Sequence, residues 1–181
     1  RQRQMCIRDS FSTALLTSAT MTLHAYAKVE EKDTIVETIV TAGYEKTAHR
    51  AGTGYCYEER DGAFVTPGTI NILVFTNKAL TDSAMVKAMM TITEAKTAAL
   101  QDWGAESVKL YPFMNEDIPD ALTKERNTTA TGTSTDGVIL TIDTNGDVLT
   151  DAGTFSLFGD TLAKAVYVGV QRALENAIDA E

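Results

Sequence analysis

Cysteine and long apolar runs are both scarce in this chain of 181 residues. Cys6 lies in an N-terminal stretch that we set aside below, and Cys56 alone excludes an intrachain disulfide framework or a cysteine-based zinc site. No stretch approaches the roughly 18 consecutive apolar residues that a membrane span requires. We therefore expect a cytoplasmic protein that has no membrane partner.

Positive charge is also in short supply. The chain carries 16 Lys and Arg against 25 Asp and Glu, for a formal net charge of −9, and its basic residues form no cluster. Because nucleic-acid binding depends on phosphate neutralisation by clustered Lys and Arg, this balance argues against a nucleic-acid partner. The length and the 44% hydrophobic content are sufficient for one packed domain.

The first ten residues, RQRQMCIRDS, have neither the period of a helix or strand nor the apolar core of a signal peptide. Their second half, MCIRDS, is similar to the translation of a transposon end with which DNA is fragmented for sequencing. We therefore interpret residues 1–10 as translated adapter and residues 11–181 as a single domain, with a genuine basic arm as the alternative. Without the net +2 of residues 1–10, the remainder carries −11.

Three stretches have the composition of β-strands. TLHAYAKV, from Thr22, alternates apolar and polar residues and predicts a half-buried strand. TIVETIVTAG, from Thr34, is partly apolar on both faces and predicts a strand well inside the sheet. TINILVF, from Thr69, is a β-branched and aliphatic run typical of a central strand. Residues 44–68, between the second and third strands, show no period and are predicted to form a long loop.

Two amphipathic helices are predicted, over residues 82–103 and about 157–178. The first begins after Thr81 or Asp82 as cap and ends at Gly104. Apolar residues at three- and four-residue spacing predict the buried faces. These residues are Met85, Ala88, Met89, Ile92, Ala95, Ala99 and Trp103 in the first helix, and Phe158, Leu162, Ala165, Val166, Gly169, Ala173 and Ala177 in the second.

Between the helices, GVILTI and VLTDAGTF flank DTNGD, whose Asn145-Gly146 pair predicts a β-hairpin. DTNGD is also similar to the start of a calcium loop, but Val148 stands where Gly is required and Thr154 where a bidentate Glu is required. The early strands follow one another without helical crossovers, which argues against a doubly wound parallel sheet. The sequence therefore predicts an α+β fold, with a mixed or antiparallel sheet covered by two main amphipathic helices.

Three stretches rich in glycine and small polar residues lie at predicted strand ends, at residues 41–52, 67–71 and 129–137. Backbone N–H groups in such loops can form an oxyanion hole or an anion nest. The sequence has no Gly-Lys-Ser/Thr ending of a P-loop and no Gly-x-Ser-x-Gly nucleophile elbow. Asp136, directly before a buried strand, is a candidate for the mouth of the sheet, although residue type alone favours an Asp that caps a turn.

Other candidates are charged or titratable side chains. Glu94 and Lys96 are two positions apart on the first helix, so they do not pair along one face, and residue type alone predicts solvated surface charges. His24 and His49 are the only histidines, and two isolated histidines do not predict a metal site. His49, beside Arg50 in the glycine-rich loop, is a candidate acid or base.

Five stretches in this order and spacing resemble the adenosylcobinamide amidohydrolase family (CbiZ), from about Leu15 to Ala177. They are VTAGYEKTAHRAG, PGTINILVF, TITEAKTAALQDWG, TATGTSTDGVIL and DAGTFSLFGDTLAKAVYVGVQRAL. The resemblance weakens near Phe155, where a more polar residue, often His, is expected. Family members also usually carry further sequence before the region that matches Leu15.

The resemblance implies a corrinoid-salvage enzyme. Such an enzyme hydrolyses the amide that joins the aminopropanol arm to the corrin ring of adenosylcobinamide and releases adenosylcobyric acid. The corrinoid is then the substrate, and no separate cofactor is implied. A corrinoid-binding or regulatory module without turnover is the competing interpretation, and an unrelated amidohydrolase is a third. A homo-oligomer is a candidate form of the chain.

Amide hydrolysis needs a nucleophile or activated water, donors for the oxyanion, and a proton for the leaving amine. Within the resembling motifs, Asp136 is expected to activate water or to orient a neighbouring hydroxyl, and Glu94 or Lys96 to carry the proton. The backbone from Gly132 to Thr135 is expected to donate to the oxyanion. The catalytic candidates are Asp136, Glu94, Lys96 and Thr135. The substrate-binding candidates are Thr41, Gly43, His49, Arg50, Asn71, Gly132, Thr133 and Ser134.

Overall fold

The computed structural model describes residues 13–17, 19–44, 47–52, 69–107 and 129–178. Within these ranges, a short 3-10 helix (Met21–Leu23) precedes six strands and two α-helices. In chain order they are β1 (Ala25–Glu31), β2 (Thr34–Gly43), β3 (Thr69–Thr76), β4 (Ala79–Leu80), α1 (Asp82–Trp103), β5 (Gly137–Thr141), β6 (Val148–Leu149) and α2 (Leu157–Ile178).

The main sheet has the strand order β1-β2-β3-β5. β1 and β2 pair antiparallel, as do β2 and β3, whereas β3 and β5 pair parallel. The parallel pair requires a crossover, and α1 lies within the chain that connects β3 to β5. The sheet is therefore mixed, and the predicted α+β fold with two main helices is confirmed.

The core lies between one face of this sheet and the two helices. Side chains alternate between the faces of a strand, and Val40 of β2 and Ile70 of β3 are completely buried on the helix side. The Thr38 hydroxyl donates to the Ala165 carbonyl oxygen of α2 at 3.1 Å. A Cβ at Gly169 would lie 2.5 Å from Thr38 Oγ1, so this glycine allows α2 to approach the sheet closely.

Both helices have the bounds that the sequence predicts, and local chemistry explains these bounds. The Thr81 hydroxyl caps α1 by accepting from the Ala84 N–H at 3.3 Å. Gly104 ends α1 in the left-handed conformation, with φ of 74°. The Ser156 hydroxyl accepts from the Gly159 N–H at 3.0 Å and caps the start of α2.

The predicted hairpin is wrong. Asn145 and Gly146 do form a turn, but β5 pairs with β3 in the main sheet while β6 pairs parallel with β4 in a separate two-stranded sheet. A Cβ at Gly146 would lie 2.2 Å from the Asn77 carbonyl oxygen. This glycine therefore serves a close approach to the chain after β3, and the turn redirects the chain instead of folding it back.

The predicted burial of Met89 is also wrong, because its side chain is 39% exposed. On α1 it shares an edge of the apolar stripe with Lys96 and Leu100, which are buried. Residues 129–136 cover this edge at the later turns, where Gly132 lies against Lys96.

Residues 1–10, Cys56 and the rest of residues 53–68 lie outside the described residues, so the adapter and most of the long loop stay predictions.

Candidate active site

The centre of the site is the loop of residues 129–136, which leads into β5. Ala130 N–H donates to the Ala105 carbonyl oxygen at 2.8 Å, just after α1. Gly132 forms an isolated β-bridge with His49, in which His49 N–H donates to the Gly132 carbonyl oxygen at 2.9 Å. The loop is therefore held on two sides by backbone hydrogen bonds, which fixes the positions of its side chains.

Asp136 accepts four hydrogen bonds at the end of this loop. Its Oδ1 accepts from the Ile70 N–H at 3.0 Å and from the Thr133 hydroxyl. Its Oδ2 accepts from the Thr133 N–H at 3.1 Å and from the Lys96 ammonium group. An ionised carboxylate has about four lone-pair sites, so these donors occupy all of them. Asp136 thus lies directly before β5, and its bonds to Thr133, three residues earlier, are also those of an aspartate that stabilises a turn.

Lys96 reaches Asp136 from α1, and the prediction that it is a solvated surface charge is wrong. Its side chain is 11% exposed and that of Asp136 is 16% exposed. A Cβ at Gly132 would lie 3.0 Å from Lys96 Nζ and 2.7 Å from Asp136 Oδ2. The absence of a side chain at Gly132 therefore makes room for the ion pair. Burial is tolerated because the lysine meets a carboxylate instead of apolar atoms.

A second group of predicted residues lies on the opposite face of the sheet. Thr41, Asn71 and Gly137 are in register across β2, β3 and β5, and alternation directs them away from the helices. Asn71 is buried, and its side-chain amide donates to the Leu16 carbonyl oxygen at 2.8 Å. The Thr41 hydroxyl is also buried and has no hydrogen-bond partner among the described residues. Gly43 continues this face at the end of β2.

Thr69 connects the two groups. Its hydroxyl lies 2.6 Å from the Thr135 carbonyl oxygen and 3.0 Å from Asn71 Oδ1. The loop that presents Asp136 on the helix side is thus tied through Thr69 to the polar residues on the other side. Sequence reasoning did not single out Thr69, although it is the residue next to Gly68 at the start of the strongest strand pattern.

The remaining candidates lie around this centre. The His49 ring lies 3.4 Å from the Thr47 carbonyl oxygen, and the Arg50 N–H donates to the Ser107 hydroxyl at 3.0 Å. Ser134 is half-buried and Thr135 is exposed. Glu94 is exposed and forms no hydrogen bond or ion pair within the part of the chain that the structure describes. The structure therefore joins Lys96 to Asp136 and leaves Glu94 apart.

Two donors of the site could not be recognised from residue type. The Ile70 N–H is a backbone group at the start of β3. Thr97, one residue after Lys96, donates from its hydroxyl to the Thr131 carbonyl oxygen at 3.2 Å. A hydroxyl at this helix position was visible in the sequence, but its partner lies 34 residues away, and only the fold brings them together.

The assembled groups are a hydroxyl, a carboxylate and an ammonium, all largely removed from water. A hydroxyl within hydrogen-bond reach of a base is the arrangement that nucleophilic catalysis requires, and an enclosed positive charge can stabilise an oxyanion. The Thr133 N–H, one of the predicted oxyanion donors, instead binds Asp136. Across the described residues, no three His, Cys, Asp or Glu side chains form a group that could hold a metal ion.

Within the described ranges, no helix combines the length and apolar content needed to cross a bilayer.

Comparison with known proteins identifies relatives. A protein from Methanocaldococcus jannaschii, whose name describes it only as uncharacterized, is 34% identical over 172 residues, which cover 88% of this chain and 61% of that protein. A protein from Methanosarcina mazei named adenosylcobinamide amidohydrolase is 29% identical over 182 residues, which cover 96% of this chain and 72% of that protein. The chain thus spans about three fifths of the first relative.

The family model for CbiZ, described as adenosylcobinamide amidohydrolase, matches residues 2–111 and 113–181. The match includes α1 with Lys96, the loop of residues 129–136, and strands β3 and β5. The chain belongs to the adenosylcobinamide amidohydrolase family.

Proposed function

We propose that this chain hydrolyses the amide between the aminopropanol arm and the corrin ring of adenosylcobinamide and releases adenosylcobyric acid for cobamide salvage. The observation that carries the proposal is the contact of Asp136 with both Thr133 and Lys96 inside a loop that the family model matches. The reaction would take place in the cytoplasm and would need no separate cofactor, since the corrinoid is the substrate.

The three functional requirements of amide hydrolysis can be distributed over these groups. A nucleophile must attack the carbonyl carbon, and Asp136 would accept the proton that this nucleophile loses. Negative charge then develops on the carbonyl oxygen, and the Lys96 ammonium is the cation that lies beside Asp136 to stabilise it. The leaving aminopropanol nitrogen needs a proton, which the protonated Asp136 would return. The products are the corrinoid acid and free aminopropanol.

The glycine-rich loop and the opposite sheet face would bind the substrate around this centre. His49 is bridged to Gly132 through backbone hydrogen bonds, so the loop that carries Arg50 lies against the catalytic loop. The buried Thr41 hydroxyl has no partner among the described residues and is suited to a polar group of the ligand, because a buried hydroxyl is stabilised by a hydrogen bond. These assignments support a site at this edge of the sheet.

The test is incubation of the chain with adenosylcobinamide, followed by liquid chromatography and mass spectrometry of adenosylcobyric acid. We expect the acid to appear with wild type and to fall by about 10²-fold with Lys96→Met, the size of loss expected when a charge-stabilising donor is removed. Lys87→Met is the matched control on α1, because Lys87 forms no ion pair among the described residues. It should hydrolyse at the wild-type rate.

The competing interpretations give different results. Binding of adenosylcobinamide in equilibrium dialysis, without any acid from folded wild type, would indicate a corrinoid-binding module and contradict the proposed reaction. Hydrolysis of simple amides without binding of any corrinoid would indicate an amidohydrolase of other specificity. Equal rates for Lys96→Met and Lys87→Met would remove Lys96 from the mechanism but leave the activity established.

A further inference from the structure

The hydroxyl of Thr133 has the environment of a nucleophile. It donates to Asp136 Oδ1, and Thr133 is 7% exposed. Asp136 in turn is oriented by the Lys96 ammonium. Nucleophile, base and orienting group in one chain of contacts is the geometry by which covalent catalysis is recognised. Sequence reasoning assigned Thr133 to substrate binding and gave Thr135 the catalytic hydroxyl, but the Thr135 residue is exposed.

The four donors on Asp136 distinguish activation of water from activation of a hydroxyl. With all lone-pair sites occupied, a water molecule can donate to Asp136 only after one donor leaves. Two of these donors are backbone N–H groups, from Ile70 and Thr133, and the third is the Lys96 ammonium. The Thr133 hydroxyl is the fourth, and its proton already points at Oδ1. The proton that Asp136 is placed to accept is therefore that of Thr133.

We propose that Thr133 Oγ1 attacks the amide carbonyl carbon of the substrate, an inference that rests on the proposed hydrolysis. The Oγ1–C bond forms as the hydroxyl proton passes to Asp136, and the tetrahedral oxyanion collapses with cleavage of the C–N bond. The amine leaves with the proton from Asp136, and the corrin acyl group stays as an ester on Thr133. Water then attacks the ester, gives a proton to Asp136, and releases the acid, while Oγ1 recovers a proton from Asp136.

Charge balance explains the position of Lys96 in this scheme. Before reaction, the positive charge of Lys96 faces the negative charge of Asp136. When Asp136 takes the Thr133 proton, it becomes neutral and the negative charge moves to the carbonyl oxygen. Lys96 is then the adjacent cation without a charged partner, and it stabilises the oxyanion by electrostatic attraction. The net charge of the site stays constant through the step.

The experiment combines a covalent readout with turnover. Wild type, Thr133→Ser and Thr133→Val are mixed with adenosylcobinamide, quenched in acid, digested, and examined by mass spectrometry for an ester of the corrin acid on the peptide that contains residue 133. Thr133→Ser keeps a hydroxyl and should keep both the adduct and turnover within about tenfold of wild type. Thr133→Val should show no adduct and lose turnover by on the order of 10³-fold or more.

Thr93→Val is the matched control, since the Thr93 hydroxyl bonds to the Met89 carbonyl oxygen on the exposed side of α1. It should turn over at the wild-type rate, and circular dichroism should show that all variants are folded. The proposal is overturned if neither wild type nor Thr133→Ser carries the adduct while hydrolysis proceeds, or if Thr133→Val retains more than a tenth of wild-type turnover. Hydrolysis by no variant, wild type included, would instead overturn the proposed function itself.

Discussion

Two buried lysines lie at opposite ends of β3 and differ in the carboxylates that they bind. Near the start of the strand, Lys96 binds Asp136, whose side chain is 16% exposed. After its end, Lys78 has a 6% exposed side chain and binds Asp33 and Asp147, which are 71% and 76% exposed. One lysine is enclosed together with its partner, and the other is clamped between two solvated acids.

We call Lys78 together with Asp33 and Asp147 the Lys78 clamp, and its role is structural. Asp33 lies in the turn between β1 and β2, and Asp147 precedes β6, so Lys78 joins two turns that are far apart in sequence. Its hydrogen bonds to Asp147 and Asp33 raise the pKa of Lys78 above its usual value. The Lys78 hydrogen bond also lowers the pKa of Asp33. A cleft of about 360 Å³ lies beside these residues.

The difference between the two ends concerns hydroxyl groups and water. At the Lys96 end, the carboxylate is shared with the Thr133 hydroxyl and two backbone N–H groups, so charge and proton can be exchanged within an enclosed site. At the Lys78 end, both carboxylates face solvent, where screening weakens their effect on any reacting group. We therefore assign the proposed chemistry to the Lys96 end, whereas the ion pairs of Lys78 join two turns.

The largest expected effect comes from comparing Asp136, at the Lys96 end of β3, with Asp147, at the Lys78 end. Asp136→Asn removes the group that we propose to accept the Thr133 proton and should lower formation of adenosylcobyric acid by about 10²–10⁴-fold. It also leaves Lys96 buried without a carboxylate, which should cost about 3–5 kcal/mol of unfolding free energy. Both are measured on folded protein, by product formation and by urea unfolding.

Asp147→Asn is the control for this substitution, since Asp147 is also bonded to a buried lysine. It should hydrolyse at the wild-type rate. Equal losses of turnover in the two variants would contradict the distinction between a chemical and a structural end.

The second prediction compares glycines at the two ends. Gly132→Ala would place a Cβ 2.7 Å from Asp136 Oδ2, displace the ion pair, and lower turnover by roughly 10–10²-fold, because small misplacements of reacting groups are costly. Gly146→Ala would place a Cβ 2.2 Å from the Asn77 carbonyl oxygen and should cost about 1–3 kcal/mol of unfolding free energy. Its turnover per folded molecule should be that of wild type.

Turnover and urea unfolding are measured on both variants. They test whether Gly132→Ala lowers turnover and whether Gly146→Ala lowers stability without lowering turnover. A Gly146→Ala protein that is fully stable but catalytically impaired would refute this expectation, as would a Gly132→Ala protein with wild-type turnover.

Local sequence signals predicted the elements that local chemistry determines. The caps at Thr81 and Gly104 fixed the bounds of α1 because each acts within a few residues. The Asn145-Gly146 signal failed because it specifies a turn but not the partner of the strand that follows. β6 pairs with β4, which lies before α1 in the sequence. Turn chemistry carries no information about such a distant partner.

The candidate site was predicted in its motifs but not in its contacts. Asp136 and Lys96 were both named, yet the buried ion pair spans 40 residues and cannot be read from the local sequence, since residue type alone predicts a solvated Lys96. The choice between Thr133 and Thr135 depended on which hydroxyl faces Asp136. In a loop without a regular period, neighbouring side chains have no predictable direction, so only the fold could decide.

The smallest expected effect concerns the pH dependence of the Lys78 clamp. Because its pKa is lowered in the folded protein, Asp33 contributes stability that is fully present above the usual Asp pKa of about 3.9. This contribution is lost as the pH falls through the lowered value. Lys78→Met removes it, so the melting temperature should decrease less between about pH 5 and pH 2 in this variant than in wild type.

Thermal unfolding followed by circular dichroism checks this, with Lys87→Met as the control for loss of a lysine charge. A corresponding loss of stability at alkaline pH follows from the raised pKa of Lys78. The stability that Lys78 contributes is present below its usual pKa of about 10.4 and is lost as the pH rises through the raised value. Because both carboxylates of the clamp are solvated, the melting temperature should change only slightly with pH in both the acid and the alkaline range. A steep fall of the melting temperature in acid that disappears in Lys78→Met would show that Lys78 and its carboxylates are as strongly coupled as Lys96 and Asp136. The contrast between the two lysines would then fail.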